Sequence, residues 1–203
     1  MRIVDVFVVV TGAWLALAVV GAVPYLLTGT LDDLDDALFE SISGFTTTGA
    51  TVLHPIEGNS AGILMWRAIS QWFGGMGVIV LVVAVLPSVG AGGMDLLTAE
   101  APGPTGERLT PRVRQTASRL WVVYLGFTVV LIAAYMVAGM SLYDGVAHAF
   151  TTVSTGGFSP YNGSLGHFGS AAIEWICIVA MFVAGGSFTL WYRLLRGLSL
   201  IHI

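Results

Sequence analysis

Four apolar runs, near residues 6–28, 60–87, 117–139 and 170–192, dictate most of what this chain can become. A helix crosses a bilayer in about 20 residues, and each run is long enough. Only 10% of the residues are charged, where a soluble domain carries about 25%. Too few charges are left to cover a water-facing surface, and the mean hydropathy is +0.85. The sequence therefore predicts an all-α integral membrane protein. The first run exceeds the roughly 7–15 apolar residues of a signal-peptide core, which favours a retained helix.

Charge placement orients the spans. Arg108, Arg112, Arg114 and Arg119 lie in 88–119, Arg193 and Arg196 follow the last span, and Arg2 precedes the first. The connections 29–59 and 140–169 carry no Arg. The excess of basic residues on the cytoplasmic side predicts that 88–119 and both termini face the cytoplasm. The chain has no Lys, and its Arg form no patch interleaved with aromatics, so nucleic acid is not an expected partner. The single Cys177 sits in an apolar run and reads as a buried, inert thiol. The Gly- and Pro-rich segment 88–116 reads as a cytoplasmic linker between two halves. Thr110 and Pro111 resemble a helix start that runs into the third span.

Each outer connection holds a short helical pattern ending in a polar turn. Asp33 precedes "LDDALFESIS", and Ser141 precedes "LYDGVAHAFT". Asp33 with Asp36, and Ser141 with Asp144, look like capped helix starts with an acid near the positive dipole end. Leu34, Leu38 and Ile42, and Val146 and Phe150, follow at helical spacing. These helices, expected at 34–45 and 142–153, are too short to span. They lead into "TTTGAT" and "STGGFS". The element order span, short helix, Gly turn, span thus occurs twice, over 1–87 and 117–203, at a period near 108 residues. Non-helical backbone at membrane depth must be buried in protein or line water. A helix C-terminus, carbonyls and hydroxyls beside a turn together favour a cation. Gly49 and Gly156 are expected to supply the positive φ that aims successive carbonyls one way.

Other residues keep two readings. "TTTGAT" alone is also an ordinary Thr-rich turn. Arg67 and Gln71, one turn apart in the second span, either snorkel to the interface or hold a loop near a water-filled path. Glu40 and His148, at matching places in the two short helices, are structural hydrogen-bonding groups or ion ligands. Asp32, Asp33, Asp35 and Asp36 are a solvated helix start, or they concentrate cations at an outer mouth. Gly74 to Gly77 and the pair Gly185 and Gly186 read as close helix packing; no Lys-Ser/Thr follows Gly77 to make a phosphate loop. Glu174 reads as interfacial, and His54, His167 and His202 as incidental. No nucleophile–base set or H-E-x-x-H motif appears, so an intramembrane enzyme is not expected.

"SGFTTTGATVL", "WRAISQWFGGMGVIVLVVAVLP", "TTVSTGGFS", and the linker pieces "AEAPGP" and "LTPR" resemble the TrkH branch of the Trk/Ktr/HKT potassium transporters. The resemblance runs from residue 5 to about 196. It implies four repeats around one pore, each a span, a pore helix with a filter strand, and a second span. It places K+ at Thr47, Thr48, Gly49, Ala50 and Thr51 of the first strand, and at Ser154, Thr155, Gly156, Gly157 and Phe158 of the second, with Gly49 and Gly156 central. It implies potassium uptake across the bacterial inner membrane, down the ion's gradient or by symport, without a cofactor. It further implies a homodimer in lipid and a cytosolic nucleotide-binding partner of the TrkA type. A Na+-permeable relative is the alternative within the family, and a non-conducting membrane scaffold the alternative outside it. Two filter loops are half of what the pore needs, so the chain reads as a fragment carrying the first two of four repeats.

Overall fold

The computed structural model describes residues 3–90, 109–186 and 191. The linker residues 91–108 and the chain end with Arg193, Arg196 and His202 lie outside them, as does Arg2. Among the described residues every regular element is helical. The long helices are α1 (Ile3–Leu27), α3 (Ala61–Gly90) and α4 (Leu109–Val137). The short ones are α2 (Leu34–Phe45) and α5 (Leu142–Val153). A 3-10 turn at Ser164–Phe168 precedes α6 (Ala171–Ala184). Val10–Leu27 and Ser118–Val137 are long and apolar enough to cross a membrane. The helix of the third span begins at Leu109, inside the segment expected to be linker.

Each short helix packs on the long helix before it, α2 on α1 and α5 on α4. The central α3 touches both pairs. Two apolar cores result. One gathers Ala22, Tyr25, Ala37, Ile63 and Leu64, the other Tyr124, Leu131, Tyr135, Val153 and Ile173. The glycines of α3 allow its close fit, as the packing reading requires. A Cβ on Gly74 would collide with the Phe45 backbone at the end of α2, and one on Gly75 would press on Ser154 after α5.

The short helices bury the face that hydropathy does not select. In α2 the buried residues include Glu40, Ser41 and Ser43, while Leu34 and Ile42 stand exposed at 61% and 44%. In α5 Asp144, His148, Thr151 and Thr152 are buried, and the expected anchors Val146 and Phe150 are only half-buried. Such an inside-out helix is not stable in water, but it suits a segment whose outer side meets lipid or further protein. The two starts also differ. Ser141 accepts from the Asp144 backbone N–H at 3.1 Å and donates to its carboxylate at 2.6 Å. Asp33 holds the extended N-cap backbone but makes no side-chain cap hydrogen bond, so it contributes charge to the helix dipole and not a cap.

Candidate functional site: two matched loops

Beyond α2 and α5 the backbone follows one path twice. Thr46 N–H donates to the Ile42 carbonyl, Thr47 N–H to Gly44, and Thr48 N–H to Ser43. Ser154, Thr155 and Gly156 repeat these bonds to Phe150, Thr152 and Thr151. In each case the bonds to the second-last and third-last helical residues close a Schellman motif, whose key residue is left-handed and usually Gly. The chain obeys that rule at its long helices. Gly29 (φ 63°) ends α1 and Gly139 (φ 107°) ends α4 with the same bonds. At the short helices the residue is Thr47 (φ 55°) or Thr155 (φ 56°). A β-branched residue held there costs on the order of 1–3 kcal/mol, and such strain concentrates at functional sites.

This register corrects the expected alignment of the loops. Thr47 corresponds to Thr155, so Gly49 corresponds to Gly157, not Gly156. Gly49 has φ 77° and Gly157 has φ 93°, while Gly156 is not left-handed. Gly156 needs to be glycine for a different reason. A Cβ there would overlap the Gln71 amide, whose Nε2 would lie 2.7 Å away. A Cβ on Gly49 would collide with the Gly156 carbonyl oxygen. The loops therefore touch backbone to backbone, with Gln71 behind them. The same shift moves Ser154 to the helix C-cap and brings Ser159 into the second loop opposite Thr51. Sequence reading passed over Ser159, although the 108-residue match of Glu40 with His148 already fixed the offset.

Three buried side chains brace the loops. Arg67, 1% exposed, does not snorkel. Its Nε meets Glu40 Oε1 at 2.7 Å, Nη2 donates to Thr51 Oγ1 at 3.0 Å, and Nη1 donates to the Ser159 carbonyl at 3.0 Å. The guanidinium also lies 4.2 Å from the Phe158 ring centroid, a cation–π arrangement. Glu40 further accepts from Thr51 Oγ1 at 2.8 Å and from Val52 N–H at 3.1 Å. With its carboxylate thus filled, Glu40 is a structural anchor. His148 plays the matching part for the second loop, with Nδ1 2.8 Å from the Asp144 carbonyl and Nε2 3.1 Å from Ser159 Oγ. Both side chains are engaged by hydrogen bonds within the protein. Ser43 ties the Ala50 carbonyl back to α2.

His167, expected to be incidental, takes part in a ring cluster beside the second loop. Its ring stacks on Tyr161 at 3.7 Å, and Tyr161 Oη donates to Asp144 at 2.9 Å. Burial first, then the bond to Asp144, raises the Tyr161 phenol above its ordinary pKa, so it stays a neutral donor. Asp32, Asp33 and Asp35 are exposed at the start of α2, and Glu174 is exposed in the first turn of α6. Cys177 is buried and packs against Thr152. A cavity of about 420 Å³ opens against the second loop, lined by His148, Thr151, Thr155, Gly156 and Gly157 among others.

The strained threonines give a testable consequence. Thr47→Gly removes about 1–3 kcal/mol of backbone strain and adds about 0.5–1 kcal/mol of chain entropy. The variant is expected to melt higher in detergent than the parent, while losing a hydroxyl at the loop.

Comparison with known proteins places this arrangement. The chain is 45% identical over its whole length to the Trk system potassium uptake protein TrkH of Halomonas elongata, covering 42% of that protein. It is 42% identical over 96% of its length to the TrkH of Escherichia coli K12, covering 41% of it. The crystal structure of the potassium transporter TrkH from Vibrio parahaemolyticus matches with a TM-score of 0.83 at 37% identity, over 97% of this chain and 39% of that one. The chain thus spans about two fifths of the length of these relatives. The family described as TrkH, cation transport protein, matches residues 1–199, and the chain belongs to that family of membrane transporters.

Proposed function

We propose that this chain supplies two of the four pore repeats of a potassium-uptake protein in the bacterial inner membrane. In this reading α2 and α5 are pore helices and the loops after them are filter strands. One observation carries it. Two polar loops, each leaving a short helix through the same strained left-handed Thr, meet backbone to backbone at Gly49 and Gly156. Such a pair presents carbonyl and hydroxyl oxygens at helix C-termini, where a dehydrated cation is favoured. The first strand is Thr47, Thr48, Gly49, Ala50 and Thr51. By the observed register the second is Thr155, Gly156, Gly157, Phe158 and Ser159, with Ser154 as the cap before it. Glu40, Arg67, Gln71 and His148 hold the strands and do not ligate the ion. Potassium is the cargo, and selection takes place without covalent chemistry.

Two further repeats complete the ring. The relatives are named for potassium uptake and potassium transport, in agreement with this cargo. The termini of the segment face the cytoplasm. The whole protein pairs as a homodimer and docks a cytosolic nucleotide-binding subunit of the TrkA type. The test is growth rescue. The complete coding sequence, expressed in a bacterium stripped of its own potassium uptake, is expected to restore growth on limiting K+. Robust membrane expression without rescue would refute the reading.

A further inference from the structure

The side chain of Gln71 lies at the crossing of the two loops, and its bonding has a directional consequence. Gln71 is fully buried on α3. Its Oε1 accepts the Phe158 backbone N–H at 3.0 Å. That N–H shares one rigid peptide plane with the Gly157 carbonyl, and in a trans peptide the two point in opposite directions. Holding the N–H against Gln71 therefore aims the Gly157 carbonyl away from α3. One turn earlier on the same helix, Arg67 fixes the next residue by binding the Ser159 carbonyl at 3.0 Å. The Ser159–Pro160 peptide, two planes further along, is thus locked as well. Gly157, left-handed at φ 93°, is the flexible residue just before the plane that Gln71 holds, and without the amide acceptor that plane is free to flip.

Among the described residues the first loop shows no such lock. The corresponding peptide joins Gly49 to Ala50, and the Ala50 carbonyl is instead tied back by Ser43. The other Gln71 atom, Nε2, is buried without a hydrogen-bond partner among the described residues, 3.6 Å from where a Gly49 Cβ would sit. A buried amide is thus retained with half its capacity unused, which is costly unless its other half has a task.

We propose that Gln71, contributed by the first half of the chain, is a specificity-determining positioning residue: it aims the Gly157 carbonyl of the second half into the ion path. The inference rests on the filter reading given above. It is tested in the complete gene product, purified and reconstituted into liposomes, by the ratio of Rb+ to Na+ flux. Gln71→Leu fills the space without an acceptor. Gln71→Glu keeps an acceptor oxygen for the Phe158 N–H, and Gly49→Ala is the control for the filter itself.

The expected result is a ratio lowered roughly tenfold by Gln71→Leu, the scale set by one buried donor left unpaired. Gln71→Glu is expected to stay within about twofold of the parent, since its acceptor survives. An unchanged ratio in Gln71→Leu beside a lowered one in Gly49→Ala overturns the role of Gln71 and leaves the filter standing. Unchanged ratios in both overturn the filter reading as well. A Gln71→Glu protein as unselective as Gln71→Leu also overturns the proposal. If the Leu variant fails to accumulate in membranes, Gln71→Met, of similar length and only weakly accepting, takes its place with the same expected loss.

Discussion

Arg67→Met is expected to abolish potassium uptake and to destabilise the protein by about 3–5 kcal/mol, the usual cost of leaving one partner of a buried ion pair uncompensated. Glu40 is fully buried, and its only cationic partner among the described residues is Arg67. Removing the guanidinium strands that carboxylate and also frees Thr51 and the Ser159 carbonyl, one contact in each loop. Arg67→Lys is not a conservative alternative, since one ammonium cannot reproduce the planar fork that binds three partners. The double variant Glu40→Gln with Arg67→Met removes the stranded charge. It is expected to recover a large part of the lost stability but little of the uptake, because the loops remain untied. Thermal melting of detergent-solubilised protein and Rb+ uptake by cells separate the two effects. A single Arg67→Met variant that melts and transports like the parent would contradict the brace.

The second large effect is expected at the glycine contact. Gly156→Ala drives a methyl group into the Gln71 amide, and Gly49→Ala drives one into the Gly156 carbonyl while straining a φ of 77°. Neither neighbour can yield easily: one is a buried amide fixed by Phe158 and the other is backbone. Overpacking of this kind costs about 1–3 kcal/mol. The functional loss is expected to exceed the stability loss, since the displaced atoms are the proposed ligands. Both variants should reach the membrane and show a K+ preference over Na+ reduced roughly tenfold or more, the scale of about 1.4 kcal/mol of lost discrimination, because the oxygens that replace the ion's hydration shell are displaced. Gly157→Ala, also left-handed but with open space around its Cβ, should be milder on stability. Membrane quantity and the flux ratio, measured together, decide this.

Much of the architecture was legible because its signals are local. Low charge and run length announced the long apolar helices, of which Val10–Leu27 and Ser118–Val137 are long and apolar enough to cross a membrane. Asp33 and Ser141 ahead of a helical spacing announced α2 and α5. The faces of those helices were not legible. Leu34, Leu38 and Ile42 pointed to an apolar contact, yet the buried side carries Glu40, Ser41 and Ser43. Hydropathy chooses the inner face only when the outside is water. The turns misled for another reason. Positive φ is expected at Gly49 and Gly156; Gly49 has it, Gly157 has it in place of Gly156, and the Schellman geometry imposes it on Thr47 and Thr155 as well. That one-residue difference moved the second loop's equivalence from Gly156 to Gly157. The role of Arg67 depended on Glu40, 27 positions away in sequence and 2.7 Å away in space, and no spacing rule announces such a pair.

The central claim is that oxygens of the two loops line the path of the transported ion. Anomalous scattering from crystals of the complete protein grown in Rb+ tests it most directly. The account predicts Rb+ peaks between the loops, within coordinating distance of backbone oxygens in 47–51 and 155–159. Peaks confined to other parts of a protein that still transports Rb+, with none beside Gly49 and Gly157, would contradict it.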